Sequence, residues 1–209
     1  MEVTRILDLK ESGRIYGLFG DIRLTTNHSK TGIITDYKFN GTVKEYLNNK
    51  KAESSLKIVM LTEDYLDKKS NELSESDLKK VNLAKCLAEN KDNIVLDFFE
   101  KGLNDKEKQN FKRLFKKLTE DIHKTILIYT NNLEFLWDIA DSIIHVENNN
   151  FKTYKKSEYF ELSDLMNSPE ITRFIKLMRE KEIKIEDYKD VKDLLKAIYR
   201  IKEQEKWDI

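Results

Sequence analysis

From Ser74 to Val146 the chain alternates amphipathic helical stretches with short, continuously apolar runs, and no other feature restricts its fold as much. The runs are residues 93–99, 125–130 and 142–146. Continuous apolar runs of this length belong to strands covered on both faces, as in a parallel sheet, because a half-exposed strand would alternate. Between them Asp105 opens a helix with Phe111, Leu114, Phe115, Leu118 and Ile122 at helical spacing, and Leu133, Leu136, Trp137 and Ala140 mark another. Ahead of the first run, Ser74 is placed to cap a helix, with Asp77 three residues on as the reciprocal acid. That helix carries Leu78, Val81, Ala84 and Ala88 on one stripe. Helix and strand alternating through short connections specify an α/β fold with a mainly parallel sheet.

The ends of the chain read differently. Residues 3–9, 14–19, 31–39 and 57–61 are expected as strands, with a short helix carrying Val43, Tyr46 and Leu47 after the Asn40-Gly41 turn. Past Phe151 two helices are expected. One starts at Pro169 with Ile171, Phe174, Ile175 and Met178, and the other carries Val191, Leu194, Leu195, Ile198 and Ile201. The expected division is an α/β domain over residues 1–150 and a helical extension over residues 151–209.

Charge narrows the function classes. Lys and Arg number 38 against 38 Asp and Glu, which argues against a nucleic-acid footprint over the whole chain. No run reaches the roughly 18–20 apolar residues of a membrane span, and no apolar h-region follows Met1. A soluble cytoplasmic protein is expected. Cys86 stands alone, without a disulfide partner, and its place on an apolar helix makes it a buried small hydrophobe. His28, His123 and His145 have no metal-ligand spacing. Lys112-Arg113 and Lys116-Lys117 read as the solvated side of their helix.

The order of these segments resembles the nucleotide-binding domain of ABC transporters, with the phosphate-binding-loop NTPase core that implies. Leu73-Ser74-Glu75-Ser76-Asp77 stands where that family has its Leu-Ser-Gly-Gly-Gln signature. Leu96-Asp97-Phe98-Phe99 stands at the Walker B Leu-Asp-Glu-Pro, followed by Gly102-Leu103-Asn104 at Gly-Leu-Asp. Residues 125–134 resemble the switch strand, residues 139–146 the Ala-Asp-Arg-Ile strand, and residues 13–20 the strand that enters the phosphate loop. The tail, with Ser168-Pro169-Glu170, Arg179-Glu180-Lys181 and residues 190–194, resembles cobalt-type and energy-coupling-factor importer ATPases, in which such tails help two ATPase subunits pair. The resemblance also implies N-terminal antiparallel strands.

The departures are specific. After Gly20 the family needs glycines and a Gly-Lys-Ser/Thr ending, and here the chain reads Asp21-Ile22-Arg23-Leu24-Thr25-Thr26-Asn27-His28. The family's catalytic glutamate position is Phe98, whose ring can neither accept a proton nor orient water. The switch histidine falls at Asn131, the loop aspartate at Asn104, and the magnesium-sensing glutamine near Thr62 or Glu63. Between Thr62 and Leu73 the chain has room for little of the family's helical subdomain. Asp97 and Ser74 remain as vestigial cofactor-binding residues. Each has a plainer role, Asp97 as a strand-end cap and Ser74 as a helix N-cap. The resemblance, so departed from, implies a non-hydrolysing subunit without a bound cofactor, Mg-ATP entering only if the site works. Its expected partner is another ABC ATPase, in a homo- or heterodimer. A membrane transporter subunit would place it at the inner face of the cell membrane. A composite ATPase site with an active partner and a free-standing interaction module are the alternatives.

Overall fold

The computed structural model describes residues 3–8, 11–20, 22–48, 52–148, 150–162, 169–188 and 191–205. Leu9, Asp21, Ser168 and Asp190, used above, lie outside them. In chain order the elements are α1 (Val3–Leu7), β1 (Ile15–Gly20), β2 (Thr31–Ile34), α2 (Val43–Tyr46), α3 (Ala52–Ile58), α4 (Glu75–Ala88), β3 (Asn93–Asp97), α5 (Asp105–Glu120), β4 (Thr125–Tyr129), α6 (Leu133–Ile139), β5 (Ser142–Glu147), β6 (Asn150–Lys155), α7 (Lys156–Leu162), α8 (Glu170–Glu180) and α9 (Val191–Glu205). The sheet runs β2-β3-β4-β1-β5-β6. Its first five strands are parallel and β6 is antiparallel to β5.

Alternate residues of each strand feed two cores. Ile15, Ile94, Leu96, Ile126, Ile128 and Ile143 face the larger one, which α4, α5, α6 and the C-terminal helices complete. Tyr16, Leu18, Val95, Leu127 and Ile144 face a smaller one, closed by Val3 and Ile6 of α1 and by Ile22 and Leu24 of the segment after β1. Packing of this second face by so little chain departs from the expected N-terminal strands. Residues 3–7 are helical because Val3 and Ile6, three apart, reach the sheet together, a spacing that a strand would send to opposite faces. The antiparallel strand is instead β6, from Asn150 on, which the sequence pattern did not reveal. It pairs with β5 from Ser142↔Lys155 to Glu147↔Asn150.

Two other expected strands differ. Residues 57–61 are the end of α3 and a turn through Met60 at φ 61°, which buries Val59 and Leu61 but exposes Ile58. β2 stops at Ile34 because the Asn82 side-chain amide donates to the carbonyls of Thr35 (2.9 Å) and Tyr37 (3.0 Å), drawing the chain out of the sheet. The short helix after Gly41 is present, with a full capping box between Thr42 and Glu45. Between Thr62 and Leu73 stand two short 3₁₀ turns, Glu63–Tyr65 and Ser70–Glu72. Cys86 is buried against Gly32, where a Cβ would lie 2.3 Å from its Sγ, and burial pushes its thiol up to about 12.

Candidate functional site

Open parallel sheets offer ligands the crevice beyond the carboxyl ends of their strands. Here β1, β3 and β4 end in Gly20, Asp97 and Tyr129. From Gly20 the chain crosses to Thr31, and among its described residues, 22–30, none is helical. Ile22 and Leu24 are spent on the smaller core. Thr26 is committed as well, its hydroxyl 3.1 Å from that of Thr4 and accepting the His28 N–H at 3.0 Å. The first lysine, Lys30, pairs with Asp92 at 3.1 Å, beside the start of β3 at the opposite end of the sheet. A magnesium-bound polyphosphate needs a nest of backbone N–H groups, a helix N-terminus and a lysine. The described residues after β1 hold no helix, and their one lysine, Lys30, is in an ion pair, which does not fit such a group.

At the end of β3 the chain turns sharply. Phe98 adopts φ 43°, a left-handed conformation uncommon outside glycine, and donates its N–H to Tyr129 O at 2.9 Å. The buried Lys79 of α4 donates to the Phe98 carbonyl at 2.8 Å, while Lys101 lies over the Phe98 ring at 3.8 Å. Asp97 sits half-buried in this setting. Burial raises its carboxyl above the ordinary aspartate range and Asp36 adds to the rise, while Lys79 and Lys101 oppose it. Buried Glu100 accepts a short hydrogen bond from the Thr130 hydroxyl, and its Oε2 has no partner among the described residues.

Ser74 lies at the same end of the fold, where α4 begins. Its Oγ accepts from Asp77 N (3.2 Å) and donates to Asp77 Oδ2 (2.7 Å). The expected reciprocal half of the capping box is absent, because the Asp77 carboxylate takes the serine hydroxyl and the Lys80 ammonium instead. Buried Lys80 continues this network to Glu107 Oε1 at 2.6 Å. Burial alone would raise Glu107, but Lys80 and the Asn104 N–H hold it below the usual glutamate range. Asn104 and Glu107 form a full capping box at the start of α5. Gly102, at φ 80°, approaches Ser76 so closely that a Cβ would lie 3.2 Å from its Cβ. Residues 74–80 and 97–107 thus form one connected surface. Asn132 caps α6, accepting the Phe135 N–H at 2.9 Å, and Glu63 pairs with Lys57 at 3.0 Å.

No family model matches the chain. It is 36% identical over 95 residues to the energy-coupling factor transporter ATP-binding protein EcfA2 of Mycoplasma capricolum, an overlap of 46% of this chain and 33% of that protein. It is 26% identical to the EcfA2 of Spiroplasma kunkelii over 97% of this chain and 70% of that one. The fold matches that of cbiO1 from Clostridium perfringens, part of the ABC transporter complex cbiONQ. The TM-score is 0.57 at 15% identity, over 81% of this chain and 84% of that one. In sequence and fold the chain is similar to ABC transporter ATP-binding proteins. It spans about a third of the first of these relatives.

Asp97 stands at the tip of β3 and Ser74 at the N-cap of α4, the two residues that the resemblance singled out. Lys79 and Glu100, which the sequence pattern did not single out, tie α4 and the end of β4 to the loop after β3. Their signal was weak, since each reads as an ordinary charged residue. An aspartate whose folded-state ionisation is made costlier by burial weakens the fold when charged. For a raised acid the penalty is absent below the unfolded value, about 3.9, and complete above the folded one. Asp97→Asn is therefore expected to stabilise the chain at neutral pH, with the gain over wild type shrinking toward zero as pH falls through about 4. Thermal melts of both proteins from pH 3.5 to 8 check this.

Proposed function

We propose that this chain is a transporter subunit that pairs with a catalytic ABC ATPase and does not itself hydrolyse ATP. The crossing from Gly20 to Thr31 carries this reading, since its described residues hold no phosphate-cradling helix or free lysine. Phe98 at the general-base position supports it, because even a correctly placed water would lack a proton acceptor there. In this reading Mg-ATP is bound by the partner, which is a different ABC ATPase or a second copy. The names of its relatives favour an energy-coupling-factor type of transporter, whose membrane component would hold the pair at the inner face of the membrane. Among the described residues no helix is long and apolar enough to cross a membrane itself.

Residues 1–150 would then act as a scaffold and residues 151–209 as the pairing extension. Exposed Phe174, Leu177, Val191, Leu195 and Tyr199 on α8 and α9 provide apolar surface for that contact. A second reading, a composite ATPase site shared with an active partner, is favoured by Ser74 and Asp97 lying at one end of the sheet. Steady-state hydrolysis by the purified chain decides first. It is expected to stay at background and to remain there in Phe98→Glu, because a restored base has no positioned phosphate to act on. Turnover switched on by Phe98→Glu would overturn the proposal. Partner ATPase activity that falls with Ser74→Ala or Asp97→Ala would favour the composite site.

A further inference from the structure

At the other end of the sheet, where β1 begins, residues of α5 and of the end of α6 line a cleft of about 690 Å³. That volume is within the range of small-molecule sites. Five cations line it, Arg14, Lys112, Arg113, Lys116 and Lys156, against the carboxylates Glu120, Asp138 and Asp141. Several of these groups are already engaged. Lys112 makes a short ion pair with Asp138, the Asp141 carboxylate accepts the Ile15 N–H at 2.8 Å, and Lys156 donates to Trp137 O. Arg14 has an exposed pairing with Glu11 at 3.5 Å. The side chains of Arg113 and Lys116 have no ion pair or hydrogen bond among the described residues. They stand three apart on α5, so their side chains are neighbours. Gln109, one turn before Arg113, adds an amide on the same wall. The solvated face expected for Lys112, Arg113 and Lys116 is therefore one side of a concavity.

We propose that this cleft binds a phosphorylated small molecule, with Arg113 and Lys116 holding the phosphate groups. A guanidinium presents two parallel N–H donors to a phosphate, and the adjacent ammonium adds a point charge. The cleft lies at the start of β1 and the Asp97 crest at the far ends of the strands, so this site is separate from the ancestral nucleotide position.

Calorimetric titration of the full chain at low salt with inorganic tripolyphosphate, and separately with citrate, tests the assignment. Saturable binding of tripolyphosphate is expected, weakened by about tenfold or more in Arg113→Ala/Lys116→Ala. Both side chains are exposed, so the double variant should melt as wild type does, and Lys117→Ala, off the cleft on the same helix, should bind normally. No saturable heat up to about 10 mM would overturn the site. So would an equal loss in Lys117→Ala, which would mean diffuse attraction to the helix. Citrate binding as tightly as tripolyphosphate would overturn its phosphate specificity.

Discussion

Truncating Phe99 to alanine is expected to cost about 3–5 kcal/mol of stability, the range for removing a fully buried aromatic ring. The ring packs edge-on against Phe111 at 4.8 Å and Phe115 at 5.5 Å, both on α5. These three rings fasten the loop after Asp97 to the helix that follows it, at the position where the ABC family resembled here has a proline. For a chain of this size each kcal/mol shifts the melting midpoint by about 2–4 °C, so a fall of about 6–20 °C should be seen. Phe99→Leu should recover part of it by refilling the cavity. Urea unfolding of the three proteins measures the effect, and an unchanged midpoint in Phe99→Ala would show that the loop is not anchored through this ring.

Gly20→Ala is expected to be comparably damaging, by roughly 3–5 kcal/mol from strain and overpacking together. Gly20 has φ 97°, where an L side chain is strained, and an added Cβ would fall 1.9 Å from the Val146 carbonyl oxygen. Both partners are backbone, on adjacent parallel strands, so neither rotates away. The consequence bears on function. This glycine looks like the first residue of a phosphate loop, yet its absence of a side chain is already required by the approach of β1 to β5. A melting temperature within about 2 °C of wild type for Gly20→Ala would contradict this.

The strands of the parallel core were legible because β3 and β4 are apolar almost throughout, as strands with helices or chain on both faces must be. α5 was legible from its one-sided apolar stripe, although Ile122 falls beyond the helix and is exposed. α1 and the end of α3 were misread because five to seven residues with two or three apolar anchors fit either period. β6 was not legible because only Phe151 and Tyr154 are half-buried, and pairing with β5 rather than burial makes it a strand. At the candidate site, Asp97 and Ser74 could be found from the order of segments around them. Lys79, Lys80 and Glu100 could not, since a buried charge is recognisable only once its partner, from a distant segment, is in place.

The most direct test of the central claim is calorimetric titration of Mg-ATP into the Arg113→Ala/Lys116→Ala protein, in which the basic cleft is disabled and only the sheet-end position remains. No saturable heat is expected at millimolar nucleotide, with the melting temperature unmoved by Mg-ATP. Saturable binding in that protein, lost on adding Asp97→Asn, would contradict that claim and establish a working nucleotide site beside β3.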